Sequence, residues 1–207
     1  MQRYFTDLAE AFVRGRLGRP EAIIEDGINA GLRVHKFKSN AELPRVQRVL
    51  GILRGLAPDS LLDIGSGRGT FLWPLLAAFP QLSVTSVDSS ERRTTDAAAV
   101  RRGRIDGLSV VQWTYNVPPS PGNHSILFTM LEVLEQLRDP QAALNGMVNT
   151  ARRFVLLSVP SVPDDNPEHL HLFTPERLRQ MAADAGALRT SIEHVLNHRI
   201  VLVRVAE

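Results

Sequence analysis

Apolar residues recur in two different patterns along the chain, and the pattern changes near Ser60. Up to residue 57 the apolar positions follow helical spacing, and Pro20 and Asn40 stand where helices could begin. Beyond Ser60, short apolar runs that are typical of buried strands alternate with helical stretches. The pattern therefore predicts a helical cap over residues 1–57 and an α/β domain over residues 58–207.

The alternation in the second part predicts a mostly parallel sheet with helices on both faces, because parallel strands need crossover connections. The predicted strands are residues 60–64, 82–88, 108–113, 125–131 and 153–159, and the predicted helices are residues 68–79, 91–102, 132–150 and 174–186. Two further runs, 187–196 and 199–206, are close neighbours and predict an antiparallel hairpin. The expected fold is a doubly wound, mostly parallel seven-stranded sheet that ends in this hairpin.

Composition and charge exclude several classes of protein. The 24 lysines and arginines nearly balance 22 acidic residues, which disfavours bulk nucleic-acid binding. Cysteine is absent, so disulfides, thiolate metal sites and a cysteine nucleophile are excluded. No apolar stretch approaches the roughly 20 residues that cross a bilayer, and the amino terminus lacks the order of a signal peptide. We expect a cytoplasmic protein that does not enter membranes.

A glycine-rich turn follows the first predicted strand. Doubly wound sheets bind ligands at the carboxyl ends of their strands, and glycines let a ligand approach the backbone and the free N–H groups of the next helix. Gly65, Gly67 and Gly69 form a G-x-G-x-G pattern, whereas a dinucleotide fingerprint needs its third glycine at Thr70. Asp63 would repel a pyrophosphate but could bind an amino group. A nicotinamide-dependent oxidoreductase is therefore disfavoured.

Over about residues 58–207 the chain resembles the class I S-adenosylmethionine-dependent methyltransferases. The family's [DE]-x-G-x-G-x-G pattern is met by Asp63 and the three glycines that follow it. Asp88, at the end of the second predicted strand, matches the family's acid for the ribose hydroxyls. The segments EVLEQL at 132–137 and HLHLFTPERL at 169–178 resemble two later motifs of the family, in the family's order.

This resemblance implies S-adenosylmethionine as the cofactor, S-adenosylhomocysteine as the product, and an oxygen or nitrogen atom of the acceptor as the nucleophile. The implied cofactor residues are Asp63, Gly65, Ser66, Gly67, Gly69, Asp88, Ser89, Trp113 and Met130. Trp113 departs from the family, because many relatives carry an acid near the adenine at this strand end. Its ring could stack on the adenine or belong to the core. Ser125 and Ile126 replace the family's usual "FD" before the fourth strand.

Acidic residues and histidines near the expected crevice are the candidates for catalysis. Glu132 and Glu135 are spaced i, i+3 at the start of the predicted helix, so they would share one face. The helix terminus alone would also favour acids there, or the two could be a solvated surface pair. His169 and His171 could each act as a general base near working pH, or they could be surface histidines.

A divalent metal is the alternative that these same residues raise. In some relatives, including small-RNA 3′-terminal 2′-O-methyltransferases, an E-x-x-E-H segment and a later histidine bind such an ion. The matching residues are Glu132, Glu135 and His169, but Gln136 replaces the first imidazole and is a poorer ligand for most transition metals. We therefore predict no metal.

The cap is expected to shape the acceptor pocket in the resembling enzymes. His35, Lys36 and Lys38 precede its third helix and could bind a carboxylate or phosphate of the acceptor, or could be solvated. His194 and His198, in the terminal hairpin, are interpreted as structural. The favoured hypothesis is methylation of a small-molecule acceptor. The alternatives are methylation of an RNA end and a cofactor-binding subunit without catalysis, and the sequence does not define the oligomeric state.

Overall fold

The structure is a computed structural model that describes residues 5–38, 43–113 and 127–205. Its first part contains helices α1 (Thr6–Leu17), α2 (Ile24–Asn29) and α3 (Pro44–Leu56), with a short 3-10 helix at Val34–Phe37. The predicted helical character of this part is thereby confirmed over its described residues. Helix α3 starts at Pro44, which suits a first helical turn because proline lacks an N–H group. Asn40, the predicted cap, lies outside the described residues.

A seven-stranded sheet forms the centre of the molecule, as the sequence predicts. Its strands are β1 (Ser60–Ile64), β2 (Ser83–Asp88), β3 (Leu108–Gln112), β4 (Leu127–Leu131), β5 (Phe154–Pro160), β6 (Arg189–Val195) and β7 (His198–Arg204). The strand order is β3-β2-β1-β4-β5-β7-β6, with β1 to β5 parallel and β7 antiparallel to both neighbours. The order reverses between β1 and β4, which places the expected ligand crevice at their carboxyl ends.

Both faces of the sheet are covered by helices, which here include α4 (Leu72–Ala78), α5 (Glu91–Arg102), α6 (Pro140–Thr150) and α7 (Pro175–Asp184). Successive strand residues point to opposite faces, so Leu61 joins the core beneath α1, α3, α4 and α5, while Leu62 joins the core beneath α6 and α7. Helix α1 approaches α5 so closely that a Cβ on Gly15 would lie 1.9 Å from the carbonyl oxygen of Ala99. The division of the chain at residue 57 stays a prediction.

Two predicted helices begin later than expected. The helix predicted at residues 68–79 is α4, which begins at Leu72, because the glycine loop before it has a left-handed φ of +86° at Gly69. Residues 132–150 were predicted as continuous, but α6 begins at Pro140, and only a 3-10 helix at Leu134–Gln136 precedes it. Glu132 has a φ of +58°, a left-handed conformation that cannot continue into a helix. Asp139 then caps α6, because its Oδ1 accepts a hydrogen bond from the N–H of Ala142 at 2.9 Å.

Ser125 and Ile126 lie outside the described residues, so the predicted start of the fourth strand is not described. Within residues 5–38, 43–113 and 127–205, none of the helices combines the length and the apolar character that a membrane span requires.

Candidate cofactor and active site

The glycine loop leaves β1 and leads into α4, and its two later glycines have different roles. Gly69 has a φ of +86°, and a Cβ there would lie 1.9 Å from Nε1 of Trp73. Close packing therefore requires this glycine. Gly67 also has a left-handed φ of +61°, but a Cβ there would meet nothing nearer than the carbonyl oxygen of Gly65 at 3.6 Å. The backbone at Gly67 is therefore open for a ligand to approach.

Asp63 is buried at the end of β1, between Ser86 of β2 and Thr129 of β4 in the register of the sheet. Its Oδ1 accepts a hydrogen bond from Oγ1 of Thr129 at 2.7 Å, whereas its Oδ2 is buried without a partner among the described residues. Burial raises the pKa of Asp63 to about 6. The side chain borders a cavity of about 200 Å³. An unpartnered carboxylate oxygen in this place suits a positively charged group.

Asp88 connects the end of β2 to the glycine loop. Its Oδ2 accepts a hydrogen bond from the N–H of Gly67 at 2.8 Å, and its Oδ1 accepts one from the N–H of Ser90 at 2.9 Å. Each carboxylate oxygen can still accept a second hydrogen bond. Ser66 is fixed from the same side, because the Oγ of Ser86 donates to its Oγ at 2.8 Å. The carboxylate borders a second cavity, of about 760 Å³.

A third cavity, of about 700 Å³, extends from the crevice toward α6. Its walls include Ser89, Trp113 and Met130, three residues that the resemblance implies for the cofactor. The side chain of Trp113 borders this cavity and also packs against the core beneath α6, so its stacking on the adenine stays a prediction. Arg93 borders all three cavities, so they are neighbours along this edge of the sheet.

Glu132 follows the last residue of β4 and faces the small cavity that Asp63 borders. Its N–H donates to the carbonyl oxygen of Ser158 at 2.9 Å, and the hydroxyl of Ser158 donates to its Oε1. Its Oε2 lies 3.1 Å from Nε2 of His198. Burial raises the pKa of Glu132, but the hydrogen bonds from His198 and Ser158 outweigh that effect and hold the pKa below its usual value. The carboxylate is therefore ionised at neutral pH.

Glu135 has no part in this arrangement. Its carboxyl group is fully buried, and neither oxygen has a hydrogen-bond partner among the described residues. Burial raises the pKa of Glu135 to about 8, so the group is neutral at pH 7. Its nearest basic group is Nε2 of His169, 3.5 Å from Oε1. The expectation that Glu132 and Glu135 share one helix face is therefore wrong, because no helix starts there.

The metal candidates are not brought together either. Glu132 is engaged by Ser158 and His198, whereas Glu135, in the 3-10 helix before α6, faces His169 of the loop that precedes α7. No group of three or more histidine and acidic side chains with the arrangement of a metal site occurs within the described ranges.

His169 and His171 do not border any of the three cavities. Nδ1 of His169 lies 2.9 Å from Oδ2 of Asp164, and its Nε2 lies 2.9 Å from Nδ2 of Asn166. Nε2 of His171 lies 2.9 Å from the carbonyl oxygen of Leu137 and donates to it. Both rings already have partners, His169 mainly in its own loop and His171 at Leu137, so the expected role of general base has no supporting contact.

The predicted acceptor residues of the cap separate into two groups. His35 and Lys36 border the cavity of about 760 Å³, whereas Lys38 does not. The ammonium group of Lys36 pairs with Asp96 of α5 and lies 4.4 Å from the centre of the Phe12 ring. Burial lowers the pKa of Lys36.

Sequence reasoning missed three residues of the site. Arg45 projects from α3 toward the small cavity and lowers the pKa of Glu132 through its charge. Glu168 borders the cavities of about 200 and 700 Å³, although its neighbour His169 was the residue expected there. His198 was interpreted as structural, yet it contacts Glu132. No local motif marks these positions, since only the packing of distant elements brings them to the crevice.

The strand order, the terminal antiparallel hairpin and the acidic, glycine-rich loop define the class I methyltransferase fold. Solved structures agree on the fold. A SAM-dependent methyltransferase from Aquifex aeolicus is 21% identical, with a TM-score of 0.66 over 81% of this chain and 93% of that chain.

Two further structures of this fold are longer than the present chain. The CMeT domain of the citrinin polyketide synthase is 15% identical, with a TM-score of 0.67 over 78% of this chain and 52% of that chain. An O-methyltransferase family protein from Burkholderia thailandensis is 14% identical, with a TM-score of 0.67 over 89% of this chain and 60% of that chain. The present chain thus spans about half the length of the first and three fifths of the second.

Residues 62–153, which contain the glycine loop, Asp88 and Glu132, match a family model described as a methyltransferase domain. No curated protein matches the sequence significantly. Residues 62–153 are therefore a methyltransferase domain, in a chain that has the fold of S-adenosylmethionine-dependent methyltransferases. Such a domain indicates an enzyme whose cofactor is S-adenosylmethionine.

The site is chemically suited to this cofactor. The amino acid end of S-adenosylmethionine carries an ammonium and a carboxylate group, and the small cavity offers the unpartnered Oδ2 of Asp63 and the guanidinium of Arg45. The open backbone at Gly67 and the free acceptor positions of Asp88 suit a close approach by a ribose.

Proposed function

We propose that this enzyme transfers a methyl group to an oxygen or nitrogen atom of a small-molecule acceptor that binds beside Glu132. The observation that carries the proposal is the placement of an ionised carboxylate on the same small cavity as Asp63 and Gly65. A hydroxyl or amino group that enters this cavity would find a hydrogen-bond acceptor next to the proposed place of the methyl donor.

The amino acid end of the cofactor is assigned to the small cavity. Asp63 would accept hydrogen bonds from the ammonium group, and Arg45 would pair with the carboxylate. The N–H of Gly67 is already engaged by Asp88, so the loop is held in shape before the ligand arrives. A site that is ordered in advance loses less conformational entropy on binding.

The nucleoside end is assigned to the ends of β2, β3 and β4. The ribose hydroxyls would donate to the carboxylate of Asp88, which borders the cavity of about 760 Å³. The adenine would lie in the cavity of about 700 Å³ among Ser89, Trp113 and Met130. A partly buried indole offers a flat apolar surface on which a purine can stack.

When bound, S-adenosylmethionine supplies a methyl group that is activated by a positively charged sulfur. Glu132 would accept the hydrogen of the attacking O–H or N–H group and so direct its lone pair into the cavity. The carboxylate of Glu132 would take the proton that the nucleophile loses as the carbon–sulfur bond of the sulfonium breaks, and S-adenosylhomocysteine would be the leaving group. Ser158 and His198 keep that carboxylate in one orientation, which lowers the entropic cost of alignment.

The alternative of metal-assisted methylation at an RNA end would need Glu132, Glu135 and His169 to converge on one ion. Their contacts in the described residues point in different directions, so the small-molecule hypothesis is favoured. The preference for a small molecule over nucleic acid and the cytoplasmic location remain predictions.

The cofactor assignment is tested by calorimetric titration of S-adenosylhomocysteine and, separately, of NAD. We expect S-adenosylhomocysteine to bind and NAD not to bind, and Asp88→Ala should weaken the affinity for S-adenosylhomocysteine at least about tenfold. Binding of NAD alone, or an affinity that Asp88→Ala leaves unchanged, would contradict the assignment.

The role of Glu132 is tested by methyl transfer from labelled S-adenosylmethionine to a panel of hydroxylated and aminated metabolites and to RNA, with and without a chelator. Glu132→Gln should lower the rate about 10²- to 10⁴-fold while S-adenosylhomocysteine binds as before. Glu25→Gln, at an exposed position of α2, is the matched control and should be fully active. An unchanged rate in Glu132→Gln would exclude the proposed role, and transfer to RNA alone would exclude the small-molecule acceptor.

A further inference from the structure

The cavity of about 760 Å³ carries a marked excess of positive charge. It lies between α1, the 3-10 helix of the cap, the glycine loop and the start of α5. The basic side chains on its walls are Arg16, Arg33, Lys36, Arg68, Arg92 and Arg93. The chain as a whole carries a formal charge of only +2, so this concentration is a local property of the cavity.

The acidic residues of the cavity do not neutralise these charges. Asp96 pairs with Lys36, and Asp88 accepts hydrogen bonds from the backbone and lies 3.6 Å from Arg93. Glu91 is the third acid on the walls. Within the described part of the chain, the other four guanidinium groups have no carboxylate within the distance of an ion pair. These four groups, Arg16, Arg33, Arg68 and Arg92, are called the arginine cluster below.

Two members of the cluster, Arg16 and Arg92, act on the same neighbouring group. The charges of Arg16 and Arg92 lower the pKa of Lys36, in addition to the larger effect of burial. Like charges close enough to oppose one another raise the free energy of the free protein, and a bound anion would remove that repulsion. The planar guanidinium group forms paired hydrogen bonds with phosphate and carboxylate oxygens.

The position of the cavity connects the cluster to catalysis. Ser66, Gly67 and Arg68 border this cavity and also the small cavity that Glu132 faces. A molecule whose anionic end lay in the arginine cluster could therefore place its other end near Glu132. Phe12, Leu72 and Trp73 form the apolar part of the walls, which suits the carbon skeleton of such a molecule.

We propose that the arginine cluster binds a phosphate or carboxylate group of the acceptor, so that the enzyme methylates an anionic small molecule. This inference rests on the proposed function for the acceptor, but the binding of the anion does not depend on methyl transfer. His35 and Lys36 of the cap then belong to the acceptor site, as the sequence predicts, whereas Lys38 does not.

The test is a calorimetric titration of inorganic phosphate, pyrophosphate and citrate into the full chain saturated with S-adenosylhomocysteine, at constant ionic strength set with chloride. Saturation fills the cofactor site, so the anion cannot bind there. We expect binding of at least one anion, weakened about tenfold by Arg92→Gln and by Arg16→Gln. Arg101→Gln, on the same helix α5 but not on the cavity walls, is the matched control and should bind the anion like the unchanged protein.

Separate measurements of cofactor binding, anion binding and methyl transfer distinguish the possible negative results. Both cavity variants should bind S-adenosylhomocysteine within about twofold of the unchanged protein. If they lose affinity for S-adenosylhomocysteine instead, the cluster serves the cofactor and the proposal is overturned. It is also overturned if none of the three anions binds above chloride, or if Arg101→Gln has the same effect as Arg92→Gln. Anion binding without methylation of any phosphorylated or carboxylated metabolite would refute the acceptor assignment and leave the anion site standing.

Discussion

Replacement of Asp63 by asparagine should weaken the binding of S-adenosylhomocysteine and, at neutral pH, stabilise the protein without its ligand. The reason is that the buried carboxylate is unfavourable for folding but suited to the ligand. Its Oδ2 has no partner among the described residues, and its Oδ1 accepts a hydrogen bond from the hydroxyl of Thr129. A residue kept for binding at the expense of stability should show both effects when its charge is removed.

The size of the stability effect follows from the pKa of Asp63. Burial raises the pKa from 3.8 to about 6, which corresponds to about 3 kcal/mol of unfolding free energy lost at neutral pH. The folded state holds the proton more tightly than the unfolded state, so stability falls as the pH rises from 3.8 to 6. Asparagine avoids this loss but leaves an amide N–H group unpaired, at a cost of about 1–3 kcal/mol.

The two terms predict a crossing of the stability curves. At pH 7.5 Asp63→Asn should be more stable than the unchanged protein by about 1 kcal/mol. At pH 4 the carboxyl group of the unchanged protein is protonated and carries no penalty, so the variant should be the less stable of the two. Thermal unfolding at both pH values measures the difference.

Binding should change in the opposite direction. Loss of a charge-assisted hydrogen bond to the ammonium group should lower the affinity for S-adenosylhomocysteine at least about tenfold at pH 7.5. In the unchanged protein the affinity should fall as the pH decreases below 6, because the ligand then has to displace the proton from Asp63. In Asp63→Asn the affinity should be almost constant over the same range.

The matched control is Asp59→Asn, an exposed position four residues earlier in the chain, which should change neither stability nor affinity. Calorimetry between pH 5 and pH 8 provides the affinities. An affinity of the unchanged protein that is flat across pH 6, or a variant that binds as tightly as the unchanged protein, would refute the assignment of Asp63 to the ammonium group.

Four other substitutions have definite expected outcomes. Gly69→Ala should lower the melting temperature strongly, because its Cβ would clash with Trp73. Gly67→Ala should cost only about 1–2 kcal/mol of stability, because its Cβ would meet nothing nearer than 3.6 Å, but it should weaken the affinity for S-adenosylhomocysteine. Thermal unfolding measures the first effect and calorimetry the second. His198→Asn should raise the pKa of Glu132, since His198 lowers it, and should therefore move the acid limb of the pH–rate profile to higher pH. The unchanged protein should lose stability between pH 4.5 and about 8, because folding raises the pKa of Glu135, and Glu135→Gln should remove this loss. The melting temperature of the variant should therefore exceed that of the unchanged protein most clearly at pH 8. Equal slopes of melting temperature against pH in the two proteins would contradict the buried, neutral state of this carboxyl group.

Local patterns in the sequence are enough to predict the sheet and the cofactor loop. Asp63 and Asp88 each follow an apolar run, and the carboxyl ends of parallel strands meet at one edge of a sheet. The prediction of a helix from Glu132 was wrong because hydrophobic periodicity does not reveal a left-handed φ. Asp139 and Pro140, however, are residue types that favour a helix cap and a first helical turn. The later start of α6 could have been predicted from that pair.

His198 illustrates a signal that only topology supplies. An antiparallel strand begins at the edge where its parallel neighbours end, and β7 pairs His198 with Pro160 at the carboxyl end of β5. Any polar residue that opens β7 must therefore lie beside the crevice. No such rule predicts the position of Arg45, because that position depends on how α3 packs against the sheet and α4.

Three carboxyl groups lie at this edge of the sheet, and their different surroundings suit them to different functions. Burial makes Glu135 neutral at pH 7, and its backbone carbonyl accepts hydrogen bonds from Leu170 and His171, so it anchors the loop before α7. Asp63, with a pKa of about 6, is ionised at neutral pH, and its Oδ2 has no partner among the described residues, which suits a charged ligand. Glu132 alone combines a lowered pKa with hydrogen bonds that orient its carboxylate on the small cavity. Because pairs of groups whose pKa values are driven apart define the acid and base of a site, the proton acceptor is expected at Glu132 and not at Glu135.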